Sequence, residues 1–201
     1  MPDPSGMASF DAAVDAAFAP LRGRPRVDRA AALVSNLADY GFVWVVLATW
    51  KGRRRGPGRR RAVLALGTAG VSSLLVSRAA KAAVERQRPE EHLTARVRTP
   101  TSSSFPSGHT LAAFCTAVVL AETEAQTAAY VGFAGAVAAS RVHLRAHHPS
   151  DVVGGAVIGS LLGVVLRPLV TLVTPGRRRT GGRGRRSRRG MSGPTYRLDN
   201  V

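Results

Sequence analysis

The chain has 201 residues, 45% of them hydrophobic, with a mean hydropathy of zero and a formal net charge of +17. That length suits one domain, and the single cysteine, Cys115, excludes an intrachain disulfide. The charge is concentrated: Lys51 to Arg61 holds seven basic residues and no acid, and Arg177 to Arg189 holds eight arginines and no acid. The remainder is close to neutral, so the molecule is not basic over a whole surface.

No basic stretch followed by an apolar one opens the chain, so no cleaved signal peptide is expected. Residues 7–20 alternate apolar side chains with Asp11 and Asp15 and read as a short amphipathic helix lying at a membrane interface. Arginines 22, 24, 26 and 29 follow it. Five apolar segments come next: Leu33–Trp50, Ala62–Ser77, Phe105–Ala121, Ala125–Ser140 and Val152–Leu166, the last able to continue past Arg167-Pro168 to Val173. Each is shorter than the ~20 residues of a comfortable span, and flanking arginines such as Arg78 and Arg167 can snorkel to extend them. Gly154, Gly155, Gly159 and Gly163 favour close helix packing. The expected fold is all-α, a transmembrane bundle of five or six segments. Its divisions are an interfacial segment at 1–30, a membrane-embedded domain at 31–174 and a disordered Arg- and Gly-rich tail at 175–201.

The two basic blocks follow the first and fifth segments, and five crossings put both on the cytoplasmic side. Loops 78–108 and 141–151 then share the opposite face. The arginines after residue 20 run against this arrangement, and a sixth short crossing would accommodate them. The tail is expected to meet anionic lipid headgroups. Nucleic acid is not expected as a partner, because no aromatic residue interleaves the arginines before Tyr196.

Three phrases fall in or beside the two loops: Lys81-x6-Arg88-Pro89, Pro106-Ser107-Gly108-His109, and Ser140-Arg141-x5-His147-x3-Asp151. Together they supply three cations, a glycine turn with a hydroxyl, two histidines and a carboxylate, an inventory suited to attack on a phosphate. His147 and Asp151 are four apart and share a face if helical, and Pro149 suits the first turn of that helix. Asp151 can then accept from one ring nitrogen of His147 and leave the other free to attack. Ser107, Gly108 and the backbone at the start of the third apolar segment can cradle an anion. The hydroxyl run 101–104 reads as loop. Cys115, inside an apolar run, reads as a small buried hydrophobe.

In this order the three phrases resemble the type 2 phosphatidic acid phosphatase superfamily, which includes bacterial acid phosphatases and vanadium haloperoxidases. The resemblance covers roughly residues 62–166. It implies a haloperoxidase-like helical core and a membrane phosphatase for a polyprenyl or phospholipid phosphate, with the site on the non-cytoplasmic face. It further implies His147 as nucleophile forming a phosphohistidine, His109 as general acid and Asp151 as orienter. Lys81, Arg88, Ser107, Gly108 and Arg141 hold the phosphate, and no metal or other cofactor is implied. An ordinary histidine pKa of about 6.5 leads to a bell-shaped pH–rate profile. His143 and Arg145 stand where the family commonly carries an aromatic and a glycine, which leaves the substrate mouth open to revision. The alternatives are a vanadium-dependent haloperoxidase and an inactive membrane scaffold or binding protein.

Overall fold

A computed structural model describes residues 4–38, 41–53, 57–89 and 102–173. The tail 175–201 and the segment 90–101 lie outside the described residues. Among the described residues, seven α-helices and one 3-10 turn make up the regular structure: α1 Pro4–Phe18, the turn Ala19–Leu21, α2 Pro25–Ala38, α3 Phe42–Gly52, α4 Pro57–Ala83, α5 Gly108–Leu120, α6 Glu124–His143 and α7 Pro149–Val173. Prolines 4, 25, 57 and 149 each open a helix, where the missing N–H costs nothing. Thr123 caps α6 by accepting from the Gln126 N–H at 3.2 Å.

The segment expected as one span over 33–50 is instead two helices. α2 stops at Ala38, Gly41 takes a left-handed φ of +68° that glycine adopts without strain, and α3 leaves at 61° to α2. The second segment is longer than its apolar run, because α4 carries Arg59–Arg61 at one end and Lys81 at the other. The third is shorter, since the helix begins only at Gly108. The fifth does run through Pro168 to Val173. Among the described residues, α4 from Arg59 and α7 are long and apolar enough to cross a membrane, and the bent α2–α3 pair makes a third candidate. The protein is thus an all-helical membrane protein with two to three such spans; α5 is apolar but only 13 residues long.

α5 is the central element. Leu111, Ala113, Cys115, Ala117, Val119 and Leu120 are all buried, in contact with α4, α6 and α7. Its closest partner is α7, through Gly155, Gly159 and Gly163, spaced one turn apart. A Cβ on Gly159 would stand 2.3 Å from the Leu111 backbone oxygen, and one on Gly155 2.7 Å from that of Ser107, so only glycine permits this approach. The opposite face of α7 exposes Val157, Leu161, Val164, Val165, Leu169 and Leu172, and α4 exposes Val63, Val71, Leu74 and Leu75, as helices facing lipid do. Trp44 of α3 meets Tyr130 and Phe133 of α6 edge-on. α1 packs against the beginning of α7 and the end of α6, next to the loop between them.

Candidate active site

The loop between α6 and α7 carries His147. It leaves the helix at Leu144, turns through Arg145 in the left-handed region (φ 53°), and returns so that the Ala146 N–H donates to the Arg141 carbonyl at 3.0 Å. Pro149 then starts α7, placing Asp151 in its first turn.

His147 is buried. Its Nδ1 lies 2.8 Å from the Ser104 backbone oxygen, which can only accept, so Nδ1 carries the proton and Nε2 holds a free lone pair. Nε2 faces the Arg88 guanidinium, whose Nη1 is 3.3 Å away. Asp151, expected to accept from this ring, stands farther off: its Oδ2 is 3.8 Å from Nδ1, beyond a hydrogen bond. Burial holds the His147 pKa down to about 4, with Arg88 and Arg141 adding to the effect and Asp151 opposing it. The ring is therefore neutral well below the ordinary histidine range assumed from sequence.

Asp151 is fully buried and bound on every side. Oδ1 accepts from Arg86 Nη1 at 2.7 Å; Oδ2 accepts from the Ser104 hydroxyl and from the His148 N–H at 2.9 Å. The other arm of Arg86 donates to Asp11 of α1 at 2.6 Å, and Asp11 also accepts from the Ser150 N–H at 2.7 Å.

Six of the eight expected site residues line one cavity of about 520 Å³: Lys81, Arg88, Gly108, His109, Arg141 and His147. α3 and α4 line it with the apolar side chains of Trp44, Val45, Leu66 and Leu74. Lys81 Nζ donates to Ser102 Oγ at 3.2 Å, and Arg88 donates to the Ala146 carbonyl at 2.8 Å. Arg141 is fully buried and donates to Ser35 of α2. A wider cleft of about 1270 Å³, lined by Arg78, Glu85, Arg86 and Ser102, shares Leu74, Ser77, Lys81 and Arg88 with the cavity. Ser107 and Asp151 stand behind the cavity wall; the Ser107 hydroxyl accepts from Thr110 Oγ1 at 3.0 Å. Among the described residues no cluster of three or more His, Cys, Asp or Glu could hold a metal ion.

The two departures at 143 and 145 face the N-terminal segment, not the cavity. His143 Nε2 is 2.7 Å from Asp28 of α2, and Arg145 donates to Asp15 of α1 at 2.9 Å. Arg22 pairs with Asp15 and also donates to the His143 and Val142 carbonyls. Sequence reasoning missed Ser104, Arg86 and Asp11. The only local signal was the hydroxyl run before Pro106, read as loop, which supplies partners to Lys81, Asp151 and His147.

A family model described as the PAP2 superfamily matches residues 62–174. The chain is 36% identical over 146 residues to decaprenylphosphoryl-5-phosphoribose phosphatase of Mycolicibacterium smegmatis, covering 72% of this chain and 80% of that protein. It is 30% identical to the protein of the same name from Mycobacterium tuberculosis, covering 81% and 90%. Its fold is similar to that of the transmembrane PAP2 type phosphatidylglycerolphosphate phosphatase of Bacillus subtilis, with a TM-score of 0.70 and 25% identity over 86% of this chain and 90% of the other. It is also similar to Aquifex aeolicus LpxE, with a TM-score of 0.55 and 25% identity over 71% and 86%.

Proposed function

The chain belongs to the PAP2 superfamily and is a phosphoric ester hydrolase, and on that premise we propose that it removes a terminal phosphomonoester from a polyprenyl-linked phosphosugar at the membrane. The observation that carries this reading is the shape of the cavity, cationic where Lys81, Arg88 and Arg141 converge and apolar along Trp44, Val45, Leu66 and Leu74. The cations suit a phosphate and the apolar side chains a hydrocarbon chain. The relatives named decaprenylphosphoryl-5-phosphoribose phosphatase are 36% and 30% identical to this chain, against 25% for the phosphatidylglycerolphosphate phosphatase, which supports the polyprenyl choice over a diacyl lipid. Hydrolase relatives also favour this reading over a haloperoxidase or an inactive scaffold.

In the proposed course, the three cations neutralise the equatorial oxygens and hold phosphorus in line with Nε2 of His147. Nε2 forms the P–N bond as the P–O bond to the sugar breaks, and His109 gives its proton to the departing oxygen. The ring becomes cationic in the phosphohistidine, where the Asp151 carboxylate 3.8 Å from Nδ1 stabilises it. Water then attacks phosphorus and gives a proton to His109 as the P–Nε2 bond breaks, which frees inorganic phosphate and restores neutral His147. Charge compensation comes from side chains, so the proposed reaction runs without a metal. We read the topology as five or six segments with residues 31–174 as the catalytic domain, loops 78–108 and 141–151 on the non-cytoplasmic face and the 175–201 tail against anionic headgroups, as the basic blocks support.

The test is phosphate release by the full chain in detergent, with EDTA present. Its panel holds a polyprenylphosphoryl 5-phosphopentose, a polyprenyl diphosphate, phosphatidic acid and phosphatidylglycerophosphate. The highest kcat/KM should fall on the phosphopentose lipid and vanadate should inhibit it. A preference for phosphatidylglycerophosphate, or a strict Mg²⁺ requirement, would overturn the reading.

A further inference from the structure

Arg86 lies inside the first motif at one of its unassigned positions, yet it is the residue that joins Asp151 to the N-terminal helix. Its two terminal nitrogens bridge two carboxylates: Nη1 to Asp151 Oδ1 at 2.7 Å and Nη2 to Asp11 Oδ2 at 2.6 Å. Nη1 also donates to Ser150 Oγ at 2.7 Å, and Ser150 Oγ donates to Asp11 at 2.8 Å. We propose that Arg86, held by Asp11 of α1, is a positioning residue for catalysis: it fixes the Asp151 carboxylate behind His147, so that α1 is a working part of the active site. This rests on the reading of His147 as nucleophile.

Asp151 is fully buried, and a buried carboxylate stays ionised only where a cation or several donors compensate it. The Ser104 hydroxyl and the His148 N–H serve Oδ2, the oxygen nearer His147, while Arg86 supplies the compensating charge at Oδ1. Arg86 with Asp11 and Asp151 sums to one net negative charge, placed where the His147 ring turns cationic. Removing the guanidinium leaves two facing carboxylates. They relieve their repulsion by turning away or by taking up a proton, and either response weakens the support given to the phosphohistidine. A lysine keeps the charge but cannot span both carboxylates as the planar fork does. Two further contacts hold α1 and the segment after it against the catalytic loop and the end of α6, namely Asp15 to Arg145 and Arg22 to the Val142 and His143 carbonyls, and Asp28 of α2 pairs with His143 beside them. A purely structural latch at Arg86 would therefore be largely redundant.

The experiment measures kcat, KM and trapped phosphoenzyme for the full chain in detergent, with thermal midpoints as a folding check. The variants are Arg86→Gln, Arg86→Lys and Asp11→Asn, beside His147→Ala. Arg86→Gln should lower kcat and phosphoenzyme formation about 10–100-fold, by analogy with outer partners of metal-bound side chains, with KM little changed. Arg86→Lys should recover part of the loss, and Asp11→Asn should lower kcat less than Arg86→Gln. Asp11→Asn serves alone if Arg86→Gln does not fold. Wild-type kcat in folded Arg86→Gln or, failing that, in Asp11→Asn, beside an inactive His147→Ala, would overturn this inference alone. Turnover by His147→Ala would overturn the nucleophile assignment and this inference with it.

Discussion

The backbone oxygen of Ser104 holds Nδ1 of His147 at 2.8 Å, and so selects the ring tautomer whose Nε2 faces the cavity. A backbone group does this, and no side-chain substitution removes it. Asp151, at 3.8 Å, acts on the same ring through its charge.

The division of labour between these two groups sets the expected cost of Asp151→Asn. Two charges about 4 Å apart are worth ~1–4 kcal/mol between bulk water and a partly shielded site, or roughly a 5- to 10³-fold effect on kcat. The tautomer survives, so the loss should stay near 10²-fold, read from kcat on a lipid phosphate. A loss of 10⁴-fold, as when an orienting carboxylate sets the tautomer, would mean that Asp151 and not Ser104 controls it.

The pH dependence has a definite sign. His147, held down to about 4 by burial and then by Arg88 and Arg141, is a free base from about pH 5 upward. Its acid limb in kcat/KM should lie near pH 4, apart from the second ionisation of the substrate phosphate near 6. Arg88→Gln removes a neighbouring cation, so the limb should move to higher pH even as activity falls. The same depression means that the His147 contribution to folding stability is full above its unfolded pKa of about 6.5 and is lost as pH falls toward 4. An unshifted limb in Arg88→Gln would show that the two groups do not interact.

The three motifs are legible because their residues are few and their spacing is local. Pro149 does open a helix with Asp151 in its first turn, but His147 stands in the loop before it, so the expected shared helical face is replaced by a 3.8 Å approach. The glycines of α7 likewise announce close packing, which the structure realises against α5. What sequence does not reveal is long-range. Asp11 and Arg86 are 75 positions apart; the first reads as the polar face of an amphipathic segment and the second as an unassigned position of the first motif. Ser104 acts through a carbonyl that every residue possesses. The break at Gly41 is hidden in a continuous apolar run, since one glycine can sit in a helix as readily as end it.

The α5–α7 contact predicts a stability effect. Gly159→Ala places a methyl 2.3 Å from the Leu111 backbone oxygen, and overpacking of this kind costs ~1–3 kcal/mol. Gly132→Ala in α6 meets open space and should be neutral or mildly stabilising through helix propensity. Thermal midpoints in detergent should separate the two variants. Equal midpoints would mean that α5 and α7 are not packed this closely.

Topology is tested by thiol labelling. In a Cys115→Ser background, single cysteines at positions 56 and 94 should respond oppositely to an impermeant reagent in intact cells. Position 94 should label and position 56 should be protected. The reverse pattern would invert the proposed orientation and place the site on the cytoplasmic face.

In the proposed mechanism Nε2 of His147 takes the phosphoryl group. The direct measurement is a brief reaction of purified protein with a ³²P-labelled lipid phosphate, quenched in alkali, where phosphohistidine survives. Label should appear on the wild-type chain and on His148→Ala, whose role at Asp151 is through its backbone N–H, and should be absent from His147→Ala. Label retained by His147→Ala, or lost from His148→Ala alone, would contradict the account.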